Sequence, residues 1–246
     1  MESTSRPHLF GLLAGLFLAG GIVFASLTVA SAWTRISESQ IVNVTGAARK
    51  NVRSDLVIWR AGFSVDDESL LGAHEKLKKD QGTVETFLRA HGASEFTIHP
   101  LQIREITARE KDGENEMVTR RIGYRLLQRI EVRSTEVEAT PRLAADSTAL
   151  LEQGVALISE GFEFIYTKAG EAKVEMMAEA TKDARTRAEQ IAAQGGRKLK
   201  ELRSARMGVV QINPLYSAAT SWEGNNDTTS LEKTITATVA ATFSLD

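Results

Sequence analysis

The residues able to do chemistry are scattered. The four histidines, His8, His74, His91 and His99, include no pair at the i, i+4 spacing with which one helix face grips a metal. His8 flanks an apolar stretch. A site from His74, His91 and His99 would need the fold to gather three separate segments, and the three read as solvated surface positions. Cysteine is absent, which removes thiolate nucleophiles, disulfides, cysteine-ligated zinc and iron–sulfur clusters. There is no G-x-S-x-G elbow, Walker loop or G-x-G-x-x-G, and Gly195-Gly196-Arg197 reads as a helix stop rather than a phosphate cradle. The carboxylates Asp66-Asp67-Glu68 and those of residues 110–116 suit a helix start and a turn, and neither group has the alternating ligands, central glycine and closing glutamate of a calcium loop. The expectation is a chain with no catalytic residues, no cofactor, no bound metal, and neither hydrolytic nor redox turnover.

One charge pattern stands apart. Arg120, Arg121, Arg125, Arg129 and Arg133 mark a single extended segment, and the four-residue spacing of Arg121, Arg125, Arg129 and Arg133 puts them on one strand face. Such a face is solvated, pairs with acids of another subunit, or binds an anion. The candidate role carried forward is an oligomer interface. Bulk charge excludes a nucleic-acid partner held by net positive charge: 30 Lys and Arg stand against 32 Asp and Glu, a net charge of −2. With 42% hydrophobic and 25% charged residues, the composition is that of a globular protein carrying extra apolar sequence.

That extra sequence is N-terminal. Residues 9–32 contain no charge, and as a helix they reach about 36 Å, enough to cross a bilayer. A secretory signal peptide is the competing reading, since Ala30-Ser31-Ala32 resembles a cleavage site, but signal cores are usually shorter. Arg6 and Arg35 flank the stretch evenly and leave orientation open. A signal-anchor reading makes residues 1–8 a cytoplasmic N-terminus, 9–32 a transmembrane helix, 33–40 a linker and 41–246 an exported body, periplasmic on the inner membrane of a Gram-negative bacterium. Gly11, Gly15 and Ala19 share one face of that helix and would let a second helix approach closely.

The body reads as strands followed by helices. Val57, Trp59, Ala61, Phe63 and Val65 alternate as one apolar strand face, followed by a helix carrying Leu70, Ala73, Leu77, Val84 and Leu88 and stopped by Gly92. Two extended segments then flank Asp112-Gly113, a hairpin signal, with Pro100 forcing an edge or a bulge in the first. Thr140-Pro141 reads as the cap and first turn of a short helix. After a strand at Phe162 and Phe164, a helix to Gln194 carries Ala180, Ala184, Ala188 and Ala192 as a shallow ridge. The last strand sets Ile235, Ala237, Val239, Ala241, Phe243 and Leu245 against Thr234, Thr236, Thr238, Thr242 and Ser244, one face dry and one wet. The class is α+β with largely antiparallel sheets, two long helices and one short helix, preceded by the membrane helix.

Val44-Thr45-Gly46 with Ser54-Asp55, Gly123-Tyr124 leading to Ile130-Glu131-Val132, the alanine helix closed by Gly195, and the alternating last strand together resemble the SIMPL-domain family. The chain departs from that pattern at Ser54, where the family commonly has proline, and at Lys200, where it commonly has glycine. The resemblance implies an exported envelope protein of stress defence that forms closed homo-oligomers, with no catalytic residues to carry over. The expected function is a non-enzymatic, membrane-anchored ring whose partners are itself and, through residues 9–32, the bilayer. The alternative is a periplasmic module binding a small molecule, peptide or protein; an anchored hydrolase using dispersed carboxylates is a third.

Overall fold

The computed structural model describes residues 7–37, 41–93, 95–111 and 117–246, with side chains described from residue 10 to 33 in the first segment. In chain order the elements are α1 (Pro7–Ser37), β1 (Ile41–Arg53), β2 (Leu56–Asp67), α2 (Leu70–Ala90), β3 (Phe96–Ile98), β4 (Gln102–Lys111), β5 (Met117–Ser134), α3 (Ala139–Asp146) with a 3-10 turn over Ser147–Gln153, β6 (Ile158–Ile165), α4 (Ala169–Gln194), β7 (Leu199–Met207), β8 (Gln211–Pro214) and β9 (Glu232–Leu245). The fold is α+β, and the strands that pair in register do so antiparallel. The Asp112-Gly113 turn lies outside the described residues.

Contacts divide the chain into two units. Residues 48–179 and 208–238 form one; residues 1–47, 180–207 and 239–246 form the other. The first contains a five-stranded sheet ordered β3-β5-β2-β6, with β4 also on β5. The alternation along β2 drives it: Val57, Trp59, Ala61 and Phe63 are fully buried, with Trp59 opposite Val132 and Ala61 opposite Ile130 of β5. Ala73, Leu77, Val84 and Leu88 of α2 close this core, with Leu143, Leu150 and Val155. Burying each large side chain stabilises by roughly 1.5–3 kcal/mol. The Trp59 indole also donates to Ser159 Oγ at 2.9 Å, so its one polar atom is satisfied.

Ser69 caps α2, its hydroxyl accepting from the Gly72 N–H at 3.0 Å, and Gly92 adopts a left-handed φ of 82° just past the helix end. Leu70, expected in the buried stripe, is 42% exposed as the first residue of the helix. Pro100 falls in the gap between β3 and β4, where no ladder N–H is needed. Thr140 is not the cap of the short helix. The cap position belongs to Glu138, and the Thr140 hydroxyl donates back to the Glu136 carbonyl from inside the first turn. A second cluster in this unit joins Val52, Ala172, Met176, Val210, Ile212 and Ile235.

The other unit holds the alanine ridge. Ala184 and Ala188 pack on Val42 and Val44 of β1 and on Ala241 and Phe243 of β9, and Ala180 and Ala192 are also buried. Small side chains let the helix backbone approach the sheet closely. Strand order here is β1-β9-β7, with β7 at the edge. The cross-strand hydrogen bonds Thr242 to Asn43 (2.7 Å) and Thr234 to Asn51 (3.0 Å) require β1 to run antiparallel to β9. Ile41 therefore lies opposite Ser244, beside Leu245, which pairs with Leu199 of β7.

Candidate functional site

The outer face of the five-stranded sheet is a ladder of charges, set by the strand alternation that turns Trp59 and Phe63 inward. Arg125 and Asp66 are directly opposite, and the guanidinium makes a two-point contact with the carboxylate at 2.7 and 2.6 Å. Arg129 reaches across Gly62 to Glu160 at 2.8 Å; a Cβ at Gly62 would stand 3.3 Å from that carboxylate. Glu131, nearly buried, accepts from Arg60 at 2.9 Å and from Arg133 at 2.8 Å, while Arg60 also binds Glu163 at 2.6 Å. The Arg60 contact, outweighing burial, holds the Glu131 carboxyl below its usual range, and Arg125 does the same for Asp66.

Arg121 does not share this face. The ladder between β4 and β5 shifts register at Ile106, and the extra residue, Ile122, turns Arg121 to the opposite side, where it binds Glu105 at 3.2 Å and lies 5.0 Å from the Tyr124 ring centre. Arg125, Arg129 and Arg133 thus form the face without it. All four have acidic partners in their own chain.

Gly11 and Gly15 have open space where a side chain would be, and the apolar side chains of Phe10–Trp33, which include Ala19 in their run, are unburied. The mean hydropathy of that stretch is 2.2, long and apolar enough to cross a membrane.

The histidines stay apart in role. His91 ends α2, its ring 4.1 Å from Phe87 and its Nδ1 on the Phe87 carbonyl. His74 lies exposed on the same helix, and His99 stands beyond β3, its Nε2 4.0 Å from Glu131. Among the described residues no group of three or more His, Asp or Glu is placed to hold a metal. A concavity of about 440 Å³ beside His99 is lined by Arg60, Arg129 and Glu160, whose charges the ladder already neutralises.

The polar segment after β8 is internally braced. Gln211 accepts from the Ser221 and Asn225 N–H groups and donates to the Ser221 carbonyl; Asn213 and Asn225 bond one another at 2.8 Å. Lys233, 1% exposed, reaches the Asp227 carboxylate at 3.2 Å and its carbonyl at 2.6 Å. Burial would raise the Asp227 pKa, but hydrogen bonds from Thr229, Ser230 and Lys233 bring it down to about 2. Tyr216 and Trp222 project from this segment into solvent.

The model of the SIMPL family, described as a protein of unknown function (DUF541), matches residues 42–243. The chain belongs to the SIMPL family. Its matched region opens inside β1 and closes inside β9, so the SIMPL fold is the body and α1 lies outside the match. No curated protein matches the sequence. Where this SIMPL chain has Ser54-Asp55, the Asp55 carboxylate accepts from the Thr167 N–H and hydroxyl, both at 2.7 Å, which ties the β1–β2 turn to the end of β6.

Sequence reasoning passed over one feature of the SIMPL body. Arg197, Lys198, Lys200, Arg203 and Arg206 follow the glycine stop and run along β7. The sequence signal is five cations against the single carboxylate of Glu201 within residues 197–206.

Proposed function

We propose that this SIMPL protein is a non-enzymatic, single-pass membrane protein whose exported body assembles into a closed homo-oligomeric ring serving envelope organisation or stress defence. The observation that carries the reading is α1: a helix of bilayer length whose apolar side chains find no protein to bury them, joined to the SIMPL body by a few residues. The Gly11, Gly15, Ala19 face supports association of such helices, and an anchor holding every copy in one plane favours a closed arrangement over an open filament. Anchoring also raises the effective concentration of subunits, so modest contacts between bodies suffice. The face of Arg125, Arg129 and Arg133 is the proposed contact, exchanging its internal pairs for shared ones at a neighbour. Light scattering coupled to size exclusion in mild detergent tests this: a full-length chain that runs as a discrete multiple supports the ring, and one that stays monomeric across concentrations overturns it.

A further inference from the structure

We propose that the cationic edge strand β7, with the Arg197 and Lys198 that precede it, docks on the anionic phosphodiester headgroups of the membrane that α1 enters; this rests on the anchored reading above.

The first observation is the state of the charges. On the charged sheet face the arginines are paired: Arg60, Arg125, Arg129 and Arg133 each hold a carboxylate of the same chain. On this segment Lys200 alone does so, with Asp246 at 2.9 Å. Arg197 bonds only the Asp246 carbonyl, and Lys198, Arg203 and Arg206 have no ion pair among the described residues. All five are exposed, with Glu201 the opposing charge in their midst. In a chain of net charge −2, Lys198, Arg203 and Arg206 thus place three unanswered cations on one edge strand and the residue before it.

The second observation is where that edge begins. Leu199 pairs with Leu245, and Leu245 neighbours Ser244, which faces Ile41. Ile41 is four peptide steps beyond Ser37, the last residue of α1, a chain reach of at most about 14 Å. The end of the sheet that carries Arg197, Lys198 and Lys200 is therefore the end tethered to the bilayer, within range of a charged surface.

The third is what accompanies the charge. Leu202 and Met207 on the same strand are 48% and 64% exposed, the mixture of apolar and cationic groups that favours an interface of headgroups and acyl chains. On the strand face opposite Met207, Ser204 and Arg206 join Asn43, Thr45 and Thr242 around a concavity of about 390 Å³ with no carboxylate. Thr242 donates to Asn43 Oδ1, which leaves the Asn43 amide N–H groups, the Arg206 guanidinium and the Thr45 and Ser204 hydroxyls as donors for a phosphate.

The test uses the full chain in lipid nanodiscs, either zwitterionic phosphatidylcholine alone or mixed with phosphatidylglycerol. Amine acetylation is read by mass spectrometry at Lys198 and Lys200, with exposed Lys78 of α2 as reference. Acetylation of Lys198 and Lys200 is expected to be about fivefold slower in the anionic discs, restored by high salt, and lost in the double variant R203E/R206E with an unchanged melting curve. Equal rates in both discs for incorporated protein overturn the proposal while leaving the anchor intact. Protection that follows the number of chains per disc instead of its lipid charge also overturns it and assigns the edge to a second copy. Failure to enter either disc overturns the anchored reading and this one with it.

Discussion

Gly46 of β1 and Ala184 of α4 meet with no room for one added carbon: a Cβ on Gly46 would stand 2.8 Å from the Ala184 Cα. One residue further, the Ala47 N–H donates to the Asp183 carboxylate at 2.8 Å and helps hold its pKa down. Gly46→Ala is expected to cost about 1–3 kcal/mol, since backbone must move on both sides. Gly62→Ala, whose nearest obstacle is the movable Glu160 carboxylate at 3.3 Å, should cost less. Paired urea denaturation curves check the order; equal costs would contradict the helix–strand contact.

Asp227 makes stability depend on acid. Its folded-state pKa of about 2 lies below the ordinary carboxylate value. Its contribution is therefore complete above about pH 4 and is lost as the pH falls through about 2, amounting to about 2 kcal/mol. Asp227→Asn should lose at least that much at pH 7, because Lys233 stays buried without its counter-charge. Urea midpoints measured from pH 7 down to pH 2 should converge for the two proteins at the acid end.

The charged sheet face separates folding from assembly. Each exposed pair there contributes only about 0.2–1 kcal/mol, so R125E/R129E should leave the melting curve almost unchanged. If that face joins subunits, the same variant should dissociate the oligomer in light scattering. A full-sized oligomer carrying both reversals would move the interface elsewhere.

Retention of α1 is decided by mass. Intact-mass measurement of protein extracted from membranes should include residues 1–32. A mature chain starting at Trp33 would mean a cleaved signal.

What the sequence discloses depends on the range of the interaction. The inward face of β2 and the alanine ridge are local periodicities, and Trp59, Phe63, Ala184 and Ala188 are buried as their spacing predicts. Thr140 does not cap its helix, since a hydroxyl can serve either as a cap or as a partner for the preceding turn, and the letters do not choose. The expected arginine face lost Arg121 to the extra residue at Ile122, a bulge with no mark in composition or period. Acidic partners such as Asp66 and Glu160 come from distant strands, so only the register reveals that these charges are already answered. The run of residues 197–206 was legible throughout, but its meaning required knowing that β7 is an edge and that Leu199 shares an end with Ile41.

The residues of β1, α4 and β9 are each divided between the two units. Each of the three contributes its beginning to one unit and its remainder to the other. No single cut in the chain releases either unit whole, and neither can be cloned as a continuous fragment. Loss of one of these three segments strips both units at once, so deletion mapping will report every such fragment as defective and will locate no function. Assignments in this protein have to come from point substitutions.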